Sequence, residues 1–381
     1  MKICNIRSIV FGLIAFTSSL AISQEVGVHV SQRVPVAKPR MELSAERAVT
    51  SPKPPQSIGK TSQNTWTLLA TLPGTVIHDM IFTTATTGYA AAELGQVWKT
   101  TNGGKTWTEV LSAGGTYYFY GVEAAGNDVI VSGFYDSSSV YGVIDISHDG
   151  GTTWSGPEQI TTGWGQRVRY ADHNHGLIMD LIGGTSGNWA QYTTDGGGTG
   201  SDWTTVVDNP EGNWFGLQFS LLLDLHARAS GINFCSSPDG GQTWTCGPSV
   251  DSVFDGPVLF LGETYGWVGG GEISPNVEGW AHVTTDGGQT WSGRTLDGPW
   301  PIRQFLFLNK NYGWATGGNL YTNVGGMYLT TDGGQTWTVD STTNAEMDAC
   351  SSHTLQRGGA QVWCAGYNGS LTGVIYSTVV K

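Results

Sequence analysis

The stretch TTDGGQTW at 330–337 appears unchanged at 284–291. Near copies stand at TTNGGKTW (100–107), SHDGGTTW (147–154) and SPDGGQTW (237–244), and TTDGGGTGSDW (193–203) is a sixth with an insertion. Their third positions are Asn102, Asp149, Asp195, Asp239, Asp286 and Asp332, spaced 47, 46, 44, 47 and 46 residues apart. A period in the mid-forties, filled with short β-rich runs, is the length of a four-stranded propeller blade. The motif has the chemistry of a hairpin joint. Its carboxylate and Ser/Thr hydroxyl accept hydrogen bonds from turn amides, Gly-Gly takes positive φ without a Cβ penalty, and the Trp opens the next strand with a ring to bury. Asn102 keeps an acceptor oxygen, so the joint survives there. Six equivalent outer-rim active sites on one chain would be without purpose, so the repeat is framework.

Each unit reads alike. In the first, VIHDMIFTT (76–84), TGYAAAE (87–93), GQVWKTT (95–101) and KTWTEV (105–110) are inner, second, third and outer strands. YGWVGGG (265–271) and YGWATGG (312–318) repeat the second strand. At the C-terminus GVIYSTVVK (373–381) matches a third strand and stops where the motif's Asp should stand. At the other end NTWTLLATLPGT (64–75) opens on a motif-like Thr65-Trp66-Thr67 with no strands before it. The N-terminal strand is therefore expected to complete the C-terminal blade. The predicted fold is all-β, a seven-bladed propeller over 61–381 with no free sheet edge.

Lys2 and Arg7, the apolar run IVFGLIAF (9–16) and Ala21-Ile22-Ser23 have the layout of a signal peptide over 1–23. Residues 24–60, with several prolines and little aromatic content, read as a flexible linker. A secreted or periplasmic monomer without a transmembrane segment is expected. Cys235 and Cys246 bracket one motif copy, and Cys350 and Cys364 are symmetric about Arg357-Gly358, so the predicted disulfides are 235–246 and 350–364. Residues 61–381 hold 10 Lys/Arg against 28 Asp/Glu, a formal charge of −18, which speaks against nucleic acid as partner. No Ser-His-Asp order, phosphate loop or paired CxxC is present, and no cofactor is expected. Asp172-His173-Asn174-His175 reads as a polar hairpin turn and not as a metal site. Asn368-Gly369-Ser370 is a glycosylation sequon, meaningful in a eukaryotic secretory pathway.

Five copies fit Ser/Thr-x-Asp-x-Gly-x-Thr-Trp without gaps, one of them with Asn102 in place of Asp, and the chain so resembles the Asp-box, or bacterial neuraminidase repeat, proteins. Tyr-Gly-Trp second strands leading into TTDGGQTW make it similar to seven-bladed propellers related to the photosystem II assembly and stability factor. That resemblance implies a binding or scaffold propeller with a protein or glycan ligand. Arg167, Arg169, Arg228, Arg294 and Arg303 form no Arg cluster like that of the photosynthetic members, so a role outside photosynthesis is expected.

In a propeller the inner-strand entrances and the second-to-third-strand loops share the face around the channel, where function gathers. The ligand-binding face is predicted to comprise His78, Tyr118, Tyr120, Trp164, Arg167, Trp214, Trp300, Arg303 and Glu346. Arg169 and Asp348 lie at the same entrances, and the loops add Glu93, Tyr135, Asp136, Tyr141, Trp189, Trp280, Tyr321 and Tyr367. Aromatic platforms with carboxylates and Arg suit sugar rings or polar peptides. The alternative is a glycoside hydrolase. Sialidase resemblance implies three Arg, a Tyr-Glu pair and an Asp; xyloglucanase resemblance implies two carboxylates, for which Asp79, Asp255 and Asp348 are the candidates. No catalytic residue is assigned.

Overall fold

The computed structural model describes residues 64–160, 164–181, 190–206, 218–231, 233–248, 250, 255–272, 278–296, 300–319, 322–356 and 358–381. The expected signal segment and linker, together with Trp189, Trp214 and Tyr321, lie outside the described residues, as do the side chains of Trp164 and Asp255.

The short runs of Val, Ile, Tyr and Trp between Gly-containing turns fold into seven four-stranded antiparallel sheets. Blade 1 comprises Ile77–Phe82, Gly88–Ala92, Gln96–Thr100 and Thr108–Ser112. The inner strands of blades 2 to 6 are Tyr117–Ala125, Trp164–Tyr170, Ser220–Leu221, Asp255–Leu261 and Ile302–Phe307. Blade 7 runs through Glu346–Thr354, Ala360–Tyr367 and Thr372–Val380. Its fourth strand is Thr67–Pro73, paired Thr67 to Ser377 and Pro73 to Thr372. Inner strands of consecutive blades touch all the way round, blade 7 against blade 1 included, so the ring is closed. Cys235–Cys246 and Cys350–Cys364 are both disulfide-bonded, each across a directly opposed strand pair. Among the described residues no helix is long and apolar enough to cross a membrane.

The repeated motif behaves as its composition requires. In the copy at 330–337, Thr330 Oγ1 donates to Asp332 Oδ1 at 2.9 Å and accepts the Gly334 amide at 2.7 Å. Asp332 in turn accepts the Thr336 amide at 2.9 Å and the Thr336 hydroxyl at 2.6 Å. Asn102 reproduces this with its amide group donating to Thr106 Oγ1 at 2.7 Å. Gly333 and Gly334 have φ of 77° and 84°, and the paired glycines of the other five copies are likewise positive. The first Gly carbonyl also serves the neighbouring blade. It accepts Trp363 Nε1 at Gly103, Tyr89 Oη at Gly150 and Trp267 Nε1 at Gly333, at 2.9, 3.2 and 2.9 Å.

These bonds sit beside stacked rings that form the interblade core. Phe82 lies 3.7 Å from Trp363 and Phe307 3.6 Å from Trp267, centroid to centroid. The glycine of Tyr-Gly-Trp lies under the inner-strand aromatic ring. A Cβ on Gly266 or Gly313 would come within 2.5 Å of Phe260 or Phe307, so the second strand can approach the first only with glycine there.

Candidate functional site

In six blades the inner strand has one irregularity in its pairing with the second strand: between 77 and 79, 119 and 121, 165 and 167, 255 and 258, 302 and 304, and 347 and 349. A bulge leaves a residue outside the ladder and re-aims its side chain. The residues passed over include His78, Tyr120, Arg303 and Asp348. A recurring backbone device thus presents four of the sequence candidates at one level of the ring.

Blades 7, 1 and 2 meet at His78. Its ring stacks on Tyr120 with centroids 3.9 Å apart and planes 10° from parallel. Nε2 lies 3.3 Å from Glu93 Oε1 and Nδ1 lies 3.4 Å from Asp348 Oδ2. Burial opposes a charge on this imidazole, but the Asp348 and Glu93 carboxylates outweigh it and raise the pKa from 6.5 to about 9. His78 is therefore a cation at neutral pH. Tyr120 continues through Phe134 (5.5 Å) to Tyr118 (5.1 Å), a ladder of near-parallel rings. On the other side of blade 2, Tyr117, Tyr135 and Tyr141 form a second group, at 5.0 and 4.8 Å. Tyr117, Tyr118, Tyr135, Tyr141 and Asp136 are all partly exposed.

Beneath this surface the arginines are committed. Asp79, 1 % exposed, accepts Arg167 at 2.8 Å and Arg169 at 3.1 Å, plus the amides of Met80 and Val122. Burial works against ionisation of Asp79, yet Arg169 and Arg167 hold its carboxyl below the ordinary range. Arg167 reaches from blade 3 past blade 2 to donate to the His78 and Asp348 carbonyls at 2.9 and 3.3 Å. Arg303 pairs with Glu346 at 2.6 Å, and Tyr367 Oη donates to the same carboxylate at 3.1 Å. Burial pushes the Glu346 carboxyl up while Arg303 pulls it down, and burial with Asp348 and Glu346 pushes the Tyr367 phenol up. Gln218 of blade 4 spans to blade 6, its amide bonding both the carbonyl and the amide of Phe305 at 2.9 and 2.8 Å.

The sequence candidates thus divide. His78, Tyr118, Tyr120, Glu93, Tyr135, Asp136, Tyr141, Asp348 and Tyr367 gather at the mouth of blades 7, 1 and 2. Arg167, Arg303 and Glu346 are there but buried in ion pairs. Trp300 is 4 % exposed and packs in the core between blades 5 and 6, with its backbone bonded to Tyr328 Oη; Trp280 is 8 % exposed and belongs to the blade 4–5 core. Packing has claimed both. Phe134, which joins the two tyrosines, carried no signal beyond a strand hydrophobe. Asp172 accepts the amides of Asn174 and His175 and the His175 ring, as a polar turn. Asn368 Oδ1 likewise accepts the Ser370 and Thr372 amides. Asp224, His226 and Glu263, in the inner-to-second-strand turns of blades 4 and 5, have ligand atoms within 4.8 Å of one another. They lie on the motif side, not at this mouth.

Residues 328–339 match the BNR/Asp-box repeat family. The chain is thus a seven-bladed propeller with an Asp-box repeat match in blade 6. It is similar in structure to YCF48 bound to D1 peptide, with 17% identity and a TM-score of 0.59 over 85% of this chain and 99% of that one. YCF48 from Cyanidioschyzon merolae gives 20% identity and 0.58 over 82% and 98%. The WD40 propeller domain of Doa1 gives 8% and 0.57 over 82% and 97%. At these identities the likeness is one of fold. No curated protein sequence matches it.

Proposed function

We propose that this Asp-box propeller is an exported binding module that takes a polypeptide at its channel mouth. The observation that carries the reading is the partly exposed tyrosine surface of blade 2, placed by the bulges beside His78, Glu93 and Asp348. Tyrosines supply large rigid contact area with a polar tip, and carboxylates at their edge supply direction. The fold it shares with YCF48 bound to D1 peptide supports a protein ligand. Two disulfides fit an oxidising compartment. Selection of a displayed random peptide library on the full chain tests it. Enrichment is expected on the native protein and absent on Tyr118→Ala/Tyr135→Ala. Binding to a glycan array with no peptide enrichment would overturn the polypeptide assignment.

The glycosidase reading has one observation in its favour, the Tyr367–Glu346 hydrogen bond next to Arg303, which has the makings of a Tyr-Glu nucleophile pair. Against it, Glu346 is 2 % exposed, and Arg167, Arg169 and Arg303 are all engaged by carboxylates of the chain itself. Asp79 is 1 % exposed and engaged by two arginines. Release of fluorophore from an aryl sialoside or of reducing ends from xyloglucan, abolished in Tyr367→Phe or Asp348→Asn, would establish the enzyme instead.

A further inference from the structure

The charges at the mouth can be paired off. Arg167 and Arg169 face Asp79, with Glu123 acting on Arg169 from the same buried layer. Arg303 faces Glu346. Among the described residues, what remains is one cation, His78, against three carboxylates, Glu93, Asp136 and Asp348. Glu93 and Asp348 both bond the His78 ring, and Glu93 and Asp136 both act on the Tyr118 hydroxyl, whose pKa is raised by burial and by these two charges. Glu93 and Asp136 keep oxygens to which no described residue donates. No Lys or Arg occurs in the connecting sequences 182–189, 207–217, 251–254, 273–277 and 297–299, so those segments bring no cation to offset the surplus. Among the described residues the mouth therefore carries two unmatched negative charges at the edge of a tyrosine surface.

We infer that the mouth selects a cationic side chain, the guanidinium or ammonium of an Arg or Lys in the bound polypeptide, received by Glu93 and Asp136 beside Tyr118. This deepens the polypeptide reading and rests on it. A guanidinium suits both features at once, pairing with a carboxylate through its edge and packing on an aromatic ring through its face. The formal charge of −18 on 61–381 would speed the approach of a basic segment, but it acts over the whole surface and selects no position. Local selection is what Glu93 and Asp136 add. A metal ion is a poorer occupant, since among the described residues no His, Asp or Glu group at the mouth converges closely enough to share one.

The test uses two labelled twelve-residue peptides of Gly, Ser and Tyr that differ only in carrying three Arg or three Glu. They are titrated with the full chain by fluorescence anisotropy at low and moderate salt. The Arg peptide is expected to bind at least about tenfold more tightly. Glu93→Gln/Asp136→Asn should weaken it by about tenfold, while Asp224→Asn/Glu263→Gln, the same change of formal charge on the motif side, should leave it unchanged. Equal losses in the two double variants would reduce the effect to overall charge and overturn the inference. So would equal or tighter binding of the Glu peptide. If the Glu peptide binds and Tyr118→Ala abolishes that binding, the polypeptide reading stands and cation selection alone has failed. If neither peptide binds and the display selection is empty, both fail.

Discussion

His78 shows how one imidazole records the geometry of three blades. Its folded pKa, about 9, lies above the ordinary 6.5 because Asp348 and Glu93 outweigh burial. A raised histidine contributes stability that is fully present below pH 6.5 and is lost as pH rises through 9. Thermal melts of the native chain should thus decline between pH 6.5 and 9.5, and His78→Gln should flatten the decline. A variant with the same slope as the native protein would show that the imidazole is not held by the two carboxylates. Arg167 makes the complementary case. Arg167→Met leaves Asp79 buried with one partner fewer, and a loss of about 3–5 kcal/mol in denaturant unfolding is expected. The surface substitution Asp136→Asn should cost less than about 0.5 kcal/mol, so the two residues separate framework from ligand surface.

At the scale of the element, the Asp-box is a joint whose carboxylate is tied to its turn. Hydrogen bonds from the Thr290 hydroxyl and amide hold the Asp286 carboxyl at about 2, and those from the Thr153 amide and hydroxyl hold Asp149 at about 2. Depressed carboxyls contribute stability present above pH 3.8 and lost as pH falls through 2, so acid unfolding should engage the boxes together. Asp332→Ala removes the bonds to Thr330 and Thr336 and is expected to cost about 1–2 kcal/mol, with peptide binding at the mouth unaltered. A change in binding without a change in stability would reverse the assignment of the motif as framework. The cross-strand Cys235–Cys246 bridge closes a short loop, and its removal as Cys235→Ala/Cys246→Ala should cost about 2–3 kcal/mol.

The whole ring depends on a clamp with no counterpart in the repeat. Blade 7 has no Asp-box, so Trp314 has no box carbonyl to bond in the next blade. It donates instead to Asp340 Oδ2 at 3.0 Å, where Trp66 Nε1 arrives at 2.7 Å and the Asn64 side chain at 3.1 Å; the Asn64 amide takes Oδ1 at 3.0 Å. One 6 %-exposed carboxylate of blade 6 therefore ties down the strand that completes blade 7. Asp340→Ala would leave two indole N–H groups short of a partner and is expected to cost about 3–5 kcal/mol, since each buried unmet donor costs about 1–3. Hydrogen exchange should then quicken first in Thr67–Pro73 and Thr372–Val380. Uniform quickening over all seven blades would argue against a local clamp.

The repeat determined the blade, and with the incomplete copy at 373–381 and the strand at 64–75 it determined the blade count and the closure, because a hairpin joint needs the same few residues wherever it stands and writes them in a short contiguous string. Tyr118, Tyr120 and His78 were also legible as candidates, since position in the repeat assigns a residue to the mouth. Only tertiary structure decided which of them face solvent. Trp300 stands at an entrance in the repeat and is buried between two blades. Arg167 and Arg169 looked like ligand arginines until a carboxylate 88 and 90 positions away closed on them. The clamp at Asp340 arises from contacts between blade 6 and the N-terminal strand that completes blade 7. Such contacts join residues far apart in the chain, so no local pattern records them.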